Sequence, residues 1–141
     1  SADEPPAQAL ARMHEALRAG RGAAAAVAAI DLASASVTYG GIGNIAGIVA
    51  SLHDSRQLLS HSGIVGHNAR RFLENPYPWP AAGTLVMHSD GLGTHWSLRE
   101  YPQLQGYHPA IVAAVLYRDH SRRRDDVTVL VARERGARSR P

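Results

Sequence analysis

The chain has 141 residues, of which 45% are hydrophobic and 19% charged, with 13 Gly, 8 Pro and no Cys; that length suits one domain with one core. All fifteen basic residues are Arg and none is Lys. The chain therefore has no disulfide frame, thiolate nucleophile, Cys-ligated zinc, P-loop lysine or Schiff-base lysine, which excludes the ordinary ATPase, protein kinase and cysteine phosphatase chemistries. The formal charge of +3 lies wholly in residues 133–141 (RERGARSRP), while residues 1–132 balance eleven Arg against eleven acids. A short basic tail without aromatics reads as a solvated terminus, not as a phosphate-backbone footprint. No apolar run reaches the roughly 18 residues of a membrane span, and no signal-peptide pattern is present. The expectation is a soluble, cytoplasmic chain with no nucleic-acid or membrane partner.

Asp3-Glu4-Pro5-Pro6 is a helix-start signal, and Leu10, Met13, His14 and Leu17 then recur at helical spacing until Gly20, which predicts a helix over 5–19. Residues 23–31 (AAAAVAAID) carry helix-forming alanines but lead into the strand-like Val37-Thr38-Tyr39. They are expected to form a strand buried on both faces. Segments 35–42, 44–51 and 56–60 are strand-like, and their close spacing predicts antiparallel hairpins. Residues 68–83 hold three Pro and read as an ordered loop, with Trp79 as its anchor over the core. A strand over 84–88 leads into Ser89-Asp90-Gly91. Residues 108–119 predict a helix with Pro109 in its first turn and Ile111, Val112, Val115 and Leu116 in one stripe. Residues 127–132 predict a final strand.

Two carboxylates stand where chemistry is placed. Asp90 ends an apolar strand and is followed by Gly91, which removes a side chain from the turn; Asp125, beside Asp126, opens the closing strand. If these strands are antiparallel neighbours, both carboxylates reach one rim. Carboxylate oxygens with waters suit Mg²⁺ or Mn²⁺. Taken as a bare pair, each Asp is equally a turn-capping residue. Gly41-Ile42-Gly43-Asn44-Ile45-Ala46 matches G-x-G-x-x-A, but strand-like Ile48-Val49-Ala50 follows, so a turn is expected there instead of a dinucleotide fingerprint. His61, His67, His88 and His95 lack zinc-motif spacing, and Ser62 lacks a nucleophile elbow.

Ser89-Asp90-Gly91-Leu92 after an apolar strand, with Arg124-Asp125-Asp126-Val127-Thr128-Val129 opening the last one, resembles the closing motifs of type 2C metal-dependent serine/threonine phosphatases, in particular their bacterial SpoIIE/RsbX-like branch. Arg21-Gly22-Ala23, Tyr39-Gly40-Gly41-Ile42-Gly43-Asn44, and Ser62-Gly63 with Gly66 fall in the same order, so the resemblance covers residues 5–133. It implies an α+β fold, an αββα sandwich of antiparallel sheets with flanking helices. It also implies paired Mn²⁺ or Mg²⁺ ions that set a water against a phosphoserine or phosphothreonine, with Asp90 and Asp125 as metal ligands and Asp126 as a second-shell or additional one. Two cations acidify water and neutralise phosphoryl oxygens without any Ser, Cys or Lys nucleophile.

The family also uses an earlier Asp-Gly pair, whereas Asp90-Gly91 is the one such pair in this sequence. The expectation is therefore that residues 1–133 form the C-terminal three-quarters of such a domain without its first strands, followed by a basic tail over 134–141. On its own the chain would bind metal weakly and turn over slowly, and it could pair with a second copy through an open sheet edge. The implied substrate is a phosphoprotein in bacterial signalling, of the anti-sigma antagonist or stressosome type. The alternative is a non-catalytic regulatory module that keeps the fold. A nucleotide-binding domain is a weaker third reading.

Overall fold

The computed structural model describes residues 3–122 and 126–135. Its elements are α1 (Pro6–Ala16), β1 (Ala25–Asp31), β2 (Ser36–Ile42), β3 (Ile45–Ala50), β4 (Ser55–Leu58), β5 (Asn75–Pro78), β6 (Thr84–Ser89), α2 (Pro109–His120) and β7 (Val129–Arg133). Two 3₁₀ turns, Leu98–Glu100 and Leu104–Gly106, lie between β6 and α2. The architecture is α+β, with antiparallel sheet pairings and two helices, as expected. No described helix is long and apolar enough to cross a membrane. The chain forms two compact units, Ser1–Ala46 with Leu58–Trp79, and Gly47–Gln57 with Pro80–Pro141.

The first unit holds the three-stranded sheet β1-β2-β5. The alanine tract is a strand: β1 pairs antiparallel with β2 from Ala25↔Ile42 to Asp31↔Ser36. Its burial differs from the expectation, because Ala25–Ile30 are only half-buried. β1 ends the order of this sheet, so pairing with β2 on one side, and not enclosure on both faces, overrides alanine's helix propensity. The hairpin turn is closed by the Asp31 carboxylate, which accepts the N–H groups of Ala33 (2.9 Å) and Ser34 (3.3 Å). The Ser34 side chain first, and then these backbone N–H groups, hold the Asp31 carboxyl below its ordinary range.

α1 starts at Pro6, and Pro5 offers no side-chain cap. The missing acceptor comes from Glu74, whose carboxylate takes the Ala7 N–H at 2.8 Å, a negative charge at the positive end of the helix. Leu10 and His14 face inward with Ile42 and Val65, while Met13 and Leu17 stay largely exposed. His14 Nδ1 accepts the Gly66 N–H at 2.9 Å, which places its own proton on Nε2.

Two expectations fail in this region. β2 and β3 do not form a hairpin, since they belong to different sheets. The break comes at Gly43, whose φ of 91° turns the chain out of the ladder while its N–H bonds the His61 carbonyl at 2.8 Å. Within the expected loop over 68–83, Asn75–Pro78 is a strand, paired with β2 from Tyr39↔Asn75 to Ser36↔Pro78. Proline tolerates an edge strand because its absent N–H is needed only on the unpaired side. Trp79 is buried as expected, its backbone N–H donating to the Ala35 carbonyl at 2.9 Å.

The second unit carries the sheet of order β4-β3-β6-β7. β6 and β7 are antiparallel neighbours, from Thr84↔Arg133 to His88↔Val129. Ala50, Val86, Leu92, Trp96, Leu98, Leu104, Val112 and Leu116 form its core. The α2 stripe is narrower than its sequence suggests: Val112 and Leu116 are buried, Val115 is half-buried and Ile111 is exposed. Fully burying a Val or Leu contributes about 1.5–3 kcal/mol, and Val112 and Leu116 are the two α2 residues buried in this core.

Candidate metal centre

β6 ends at Ser89, and the chain reverses at once, with the Leu92 N–H on the Ser89 carbonyl at 3.2 Å. Leu92 is fully buried while Asp90 is exposed. The turn therefore has an apolar anchor on one side and a solvated carboxylate on the other.

Two strands of contact pin this turn. Ser89 reaches the start of β7: its N–H donates to the Thr128 carbonyl at 3.1 Å, and its hydroxyl accepts the Thr128 N–H at 2.9 Å. On the other side, the Arg122 N–H donates to the Gly91 carbonyl at 2.7 Å and the Gly93 N–H to the His120 carbonyl at 2.9 Å. Leu92 and Ser121 form an antiparallel bridge. Arg122 and Asp126 thus both lie against this turn.

Gly91 makes the approach of Asp126 possible. A Cβ at position 91 would fall on the Asp126 carbonyl oxygen and come within 2.7 Å of Val127 Cγ2. The expected reason for this glycine was freedom to turn away from the site. The structure gives a different one, close approach of a second backbone segment.

Asp90 and the backbone of Asp126 are thereby brought to one rim, at the junction of β6 and β7. Asp125, the other expected ligand, lies outside the described residues; it is joined to Asp126 by one peptide bond. Among the described residues, turn-capping bonds are made by other acids. Asp31 closes the β1–β2 turn, and Asp54 accepts the Ser55 N–H at 2.8 Å. Asp90 and Asp126 are exposed, and among the described residues no group donates to either carboxylate.

Anionic oxygens open to water match in kind what a hard divalent cation takes, with water completing its shell. Among the described residues, no three His, Asp or Glu side chains are grouped closely enough to hold a metal. The histidines have other places. His88 is buried against Trp96, with ring centroids 5.8 Å apart, and its Nδ1–H donates to the Ser89 carbonyl at 2.9 Å. His67 Nε2–H donates to the Gly20 carbonyl at 2.8 Å, and His95 is exposed. The G-x-G-x-x-A match is the Gly43 turn between two strands, without the helix a dinucleotide needs.

Residues 1–135 match the family model of stage II sporulation protein E (SpoIIE). The chain belongs to the SpoIIE family. A comparison with curated protein sequences finds no match. Solved structures similar to it include one described under the bacterial stressosome, a modular system adapted to control secondary messenger signalling (26% identity over 84% of this chain and 62% of that one, TM-score 0.74). Another is RsbX in complex with magnesium (22%, 88% and 62%, TM-score 0.71). A third is the Mn-presoaked phosphatase domain of the cell-fate determinant SpoIIE from Bacillus subtilis (20%, 89% and 63%, TM-score 0.58). The chain spans about three-fifths of each of these structures. The fold is that of the type 2C phosphatases.

The sequence pointed to Asp90 and Asp125, with Asp126 as an additional candidate, and showed Ser89 as part of a motif but not its bonds to Thr128, which tie the Asp90 turn to the start of β7. Its signal was present: a small hydroxyl residue at a strand end can bond a neighbouring backbone without filling the site. Tyr101, Asp119 and His120, which flank the Arg122 side of the turn, carry no motif at all.

Proposed function

We propose that this chain supplies the Asp90 and Asp125–Asp126 side of a Mn²⁺- or Mg²⁺-dependent centre that hydrolyses phosphoserine or phosphothreonine on a bacterial signalling protein, of the anti-sigma antagonist or stressosome type. The observation that carries the reading is the packing of the Asp126 backbone on Gly91, which brings the two Asp motifs to one rim. The magnesium and manganese named for two similar structures support the choice of ions.

Asp90 and Asp125 would hold the metal, with Asp126 adjacent. A bound divalent ion supplies charge neutralisation at the phosphoryl oxygens and a lowered pKa for water. The chain's own part is to fix anionic oxygens at the end of a rigid strand, so that little reorganisation accompanies binding. Hydrolysis adds water to phosphorus, breaks the P–O bond to the seryl or threonyl oxygen, and returns that oxygen its proton.

The test is Mn²⁺ binding, followed by water-proton relaxation, together with hydrolysis of an aryl phosphate and a phosphoserine peptide. Both are run on this chain and on a longer one that includes a preceding Asp-Gly segment. We expect weak Mn²⁺ binding and slow turnover here, rising in the longer chain. Metal binding without turnover in either would favour the regulatory-module reading. Absence of Mn²⁺ binding in both would refute the proposal.

A further inference from the structure

The turn that carries Asp90 is held on its Arg122 side by residues that continue directly out of a hydrogen-bond relay at the end of α2. Tyr101, between the two 3₁₀ turns, places its hydroxyl 2.7 Å from Asp119 Oδ2 and 2.9 Å from His120 Nε2. The direction of each bond follows from chemistry. A carboxylate only accepts, so the Tyr101 O–H donates to Asp119, and the phenol oxygen then accepts the His120 Nε2–H. Asp119 is held from its other side by Arg118, whose Nε–H donates to Oδ1 at 2.7 Å. The His120 ring also lies edge-on to the Tyr101 ring (6.1 Å, 86°) and 6.1 Å from the buried Trp96.

His120 is thus fixed at a place where a helix ordinarily frays. Its main chain is the first rung of the strap. The His120 carbonyl takes the Gly93 N–H, Ser121 bridges Leu92, and the Arg122 N–H donates to Gly91. Three consecutive residues beginning with His120 hold the three residues that follow Asp90.

We propose that Tyr101 is a positioning residue for the Asp90 turn, acting through His120 to fix the strap His120–Arg122 and so the carboxylate's place relative to Asp126. This rests on the reading of Asp90 as a metal ligand. It adds a side chain 11 positions away in sequence that touches neither substrate nor ion. Removing the hydroxyl takes away the acceptor of the His120 Nε2–H, while Asp119 Oδ2 keeps the Arg118 Nη2 bond at 3.1 Å, so the loss falls on His120.

The experiment compares the full chain with Tyr101→Phe, using Tyr117→Phe, an exposed tyrosine on α2, as control. Amide hydrogen exchange is read by NMR. In Tyr101→Phe, the Gly93 and Arg122 amides are expected to exchange about tenfold faster, the loss of roughly one hydrogen bond to a charged group, with the β6–β7 ladder unchanged. The Mn²⁺ dissociation constant, from water-proton relaxation, is expected to rise about tenfold, the low end for groups that orient a ligand. Tyr117→Phe should change neither. Unchanged exchange at Gly93 and Arg122, or an equal rise at every amide, would overturn the proposal. So would faster exchange with unaltered Mn²⁺ affinity, which would make Tyr101 structural only. Failure of the unaltered chain to bind Mn²⁺ would instead remove the metal reading, while the exchange comparison still decides whether Tyr101 holds the turn.

Discussion

Replacing Gly91 with Ala tests the contact on which the site depends. The new methyl would meet the Asp126 carbonyl oxygen, lie 2.7 Å from Val127 Cγ2 and 3.0 Å from the Asp126 carbonyl carbon. Two of these atoms are backbone and the third belongs to a β-branched side chain, so none can swing aside cheaply. The segment 126–128 must retreat. That stretches the paired bonds between Ser89 and Thr128, now 3.1 and 2.9 Å. Overpacking of this kind costs about 1–3 kcal/mol, a fall in melting temperature of roughly 3–9 °C at this chain length. Gly93→Ala is the matched control, because its Cβ would sit 3.4 Å from the His120 carbonyl, close to ordinary contact. Thermal unfolding followed by circular dichroism, with Mn²⁺ binding well below the transition, reads both variants. Gly91→Ala should lose stability and metal affinity together, and Gly93→Ala should lose little of either. A Gly91→Ala protein as stable and as tight as the parent would refute the claim that Gly91 is there to admit the second Asp motif.

Asp90→Asn should weaken Mn²⁺ binding at least about tenfold with the melting temperature nearly unchanged, since the side chain is exposed and has no donor among the described residues; relaxation titration checks it. Leu116→Ala, at a fully buried position of the α2 face, should cost about 2–5 kcal/mol in urea unfolding. Arg118 and Tyr101 hold the Asp119 carboxyl down at about 2. Its stabilising contribution is therefore present above its ordinary value of 3.8 and is lost as pH falls toward 2, which an acid-unfolding comparison with Asp119→Asn measures. Burial, with Asp119 beside it, pushes Tyr101 up to about 12. The neutral phenol favours the fold most fully below pH 10, and this contribution fades as pH rises toward 12. Tyr101→Phe should remove the tyrosinate absorbance step near pH 12.

Patterns short enough to be local were legible in the sequence. The Pro5-Pro6 start and the Leu10–His14 spacing predicted α1. The apolar run into Ser89-Asp90-Gly91 predicted β6 and the rim that carries Asp90. The alanine tract was legible as a strand only because of its flanks, Gly22 and the run into Val37; the reason assigned to it, burial on both faces, depends on neighbours a sequence does not display. β5 was hidden because Pro76 and Pro78 mark loops in general and fit a strand only where one side needs no N–H. The switch of sheet at Gly43 was hidden because spacing predicts a turn but not which sheet follows it. At the site, the two Asp motifs were visible as motifs. Ser89's bonds to Thr128, Gly91's tolerance of Asp126, and the Tyr101–His120 relay join residues 19 to 39 positions apart through the tertiary fold, and no local period encodes them.

The central claim is that the Asp90 turn and the start of β7 form one cation site. The direct measurement is paramagnetic broadening of amide NMR signals on titration with Mn²⁺. The account predicts that signals of residues 89–93 and 126–128 broaden first and together, and that excess Mg²⁺ restores them. Those of α1 and the Asp31 turn should remain sharp. Broadening centred on the histidines, or at Asp31 or Asp54 with the Asp90 turn unaffected, would contradict it.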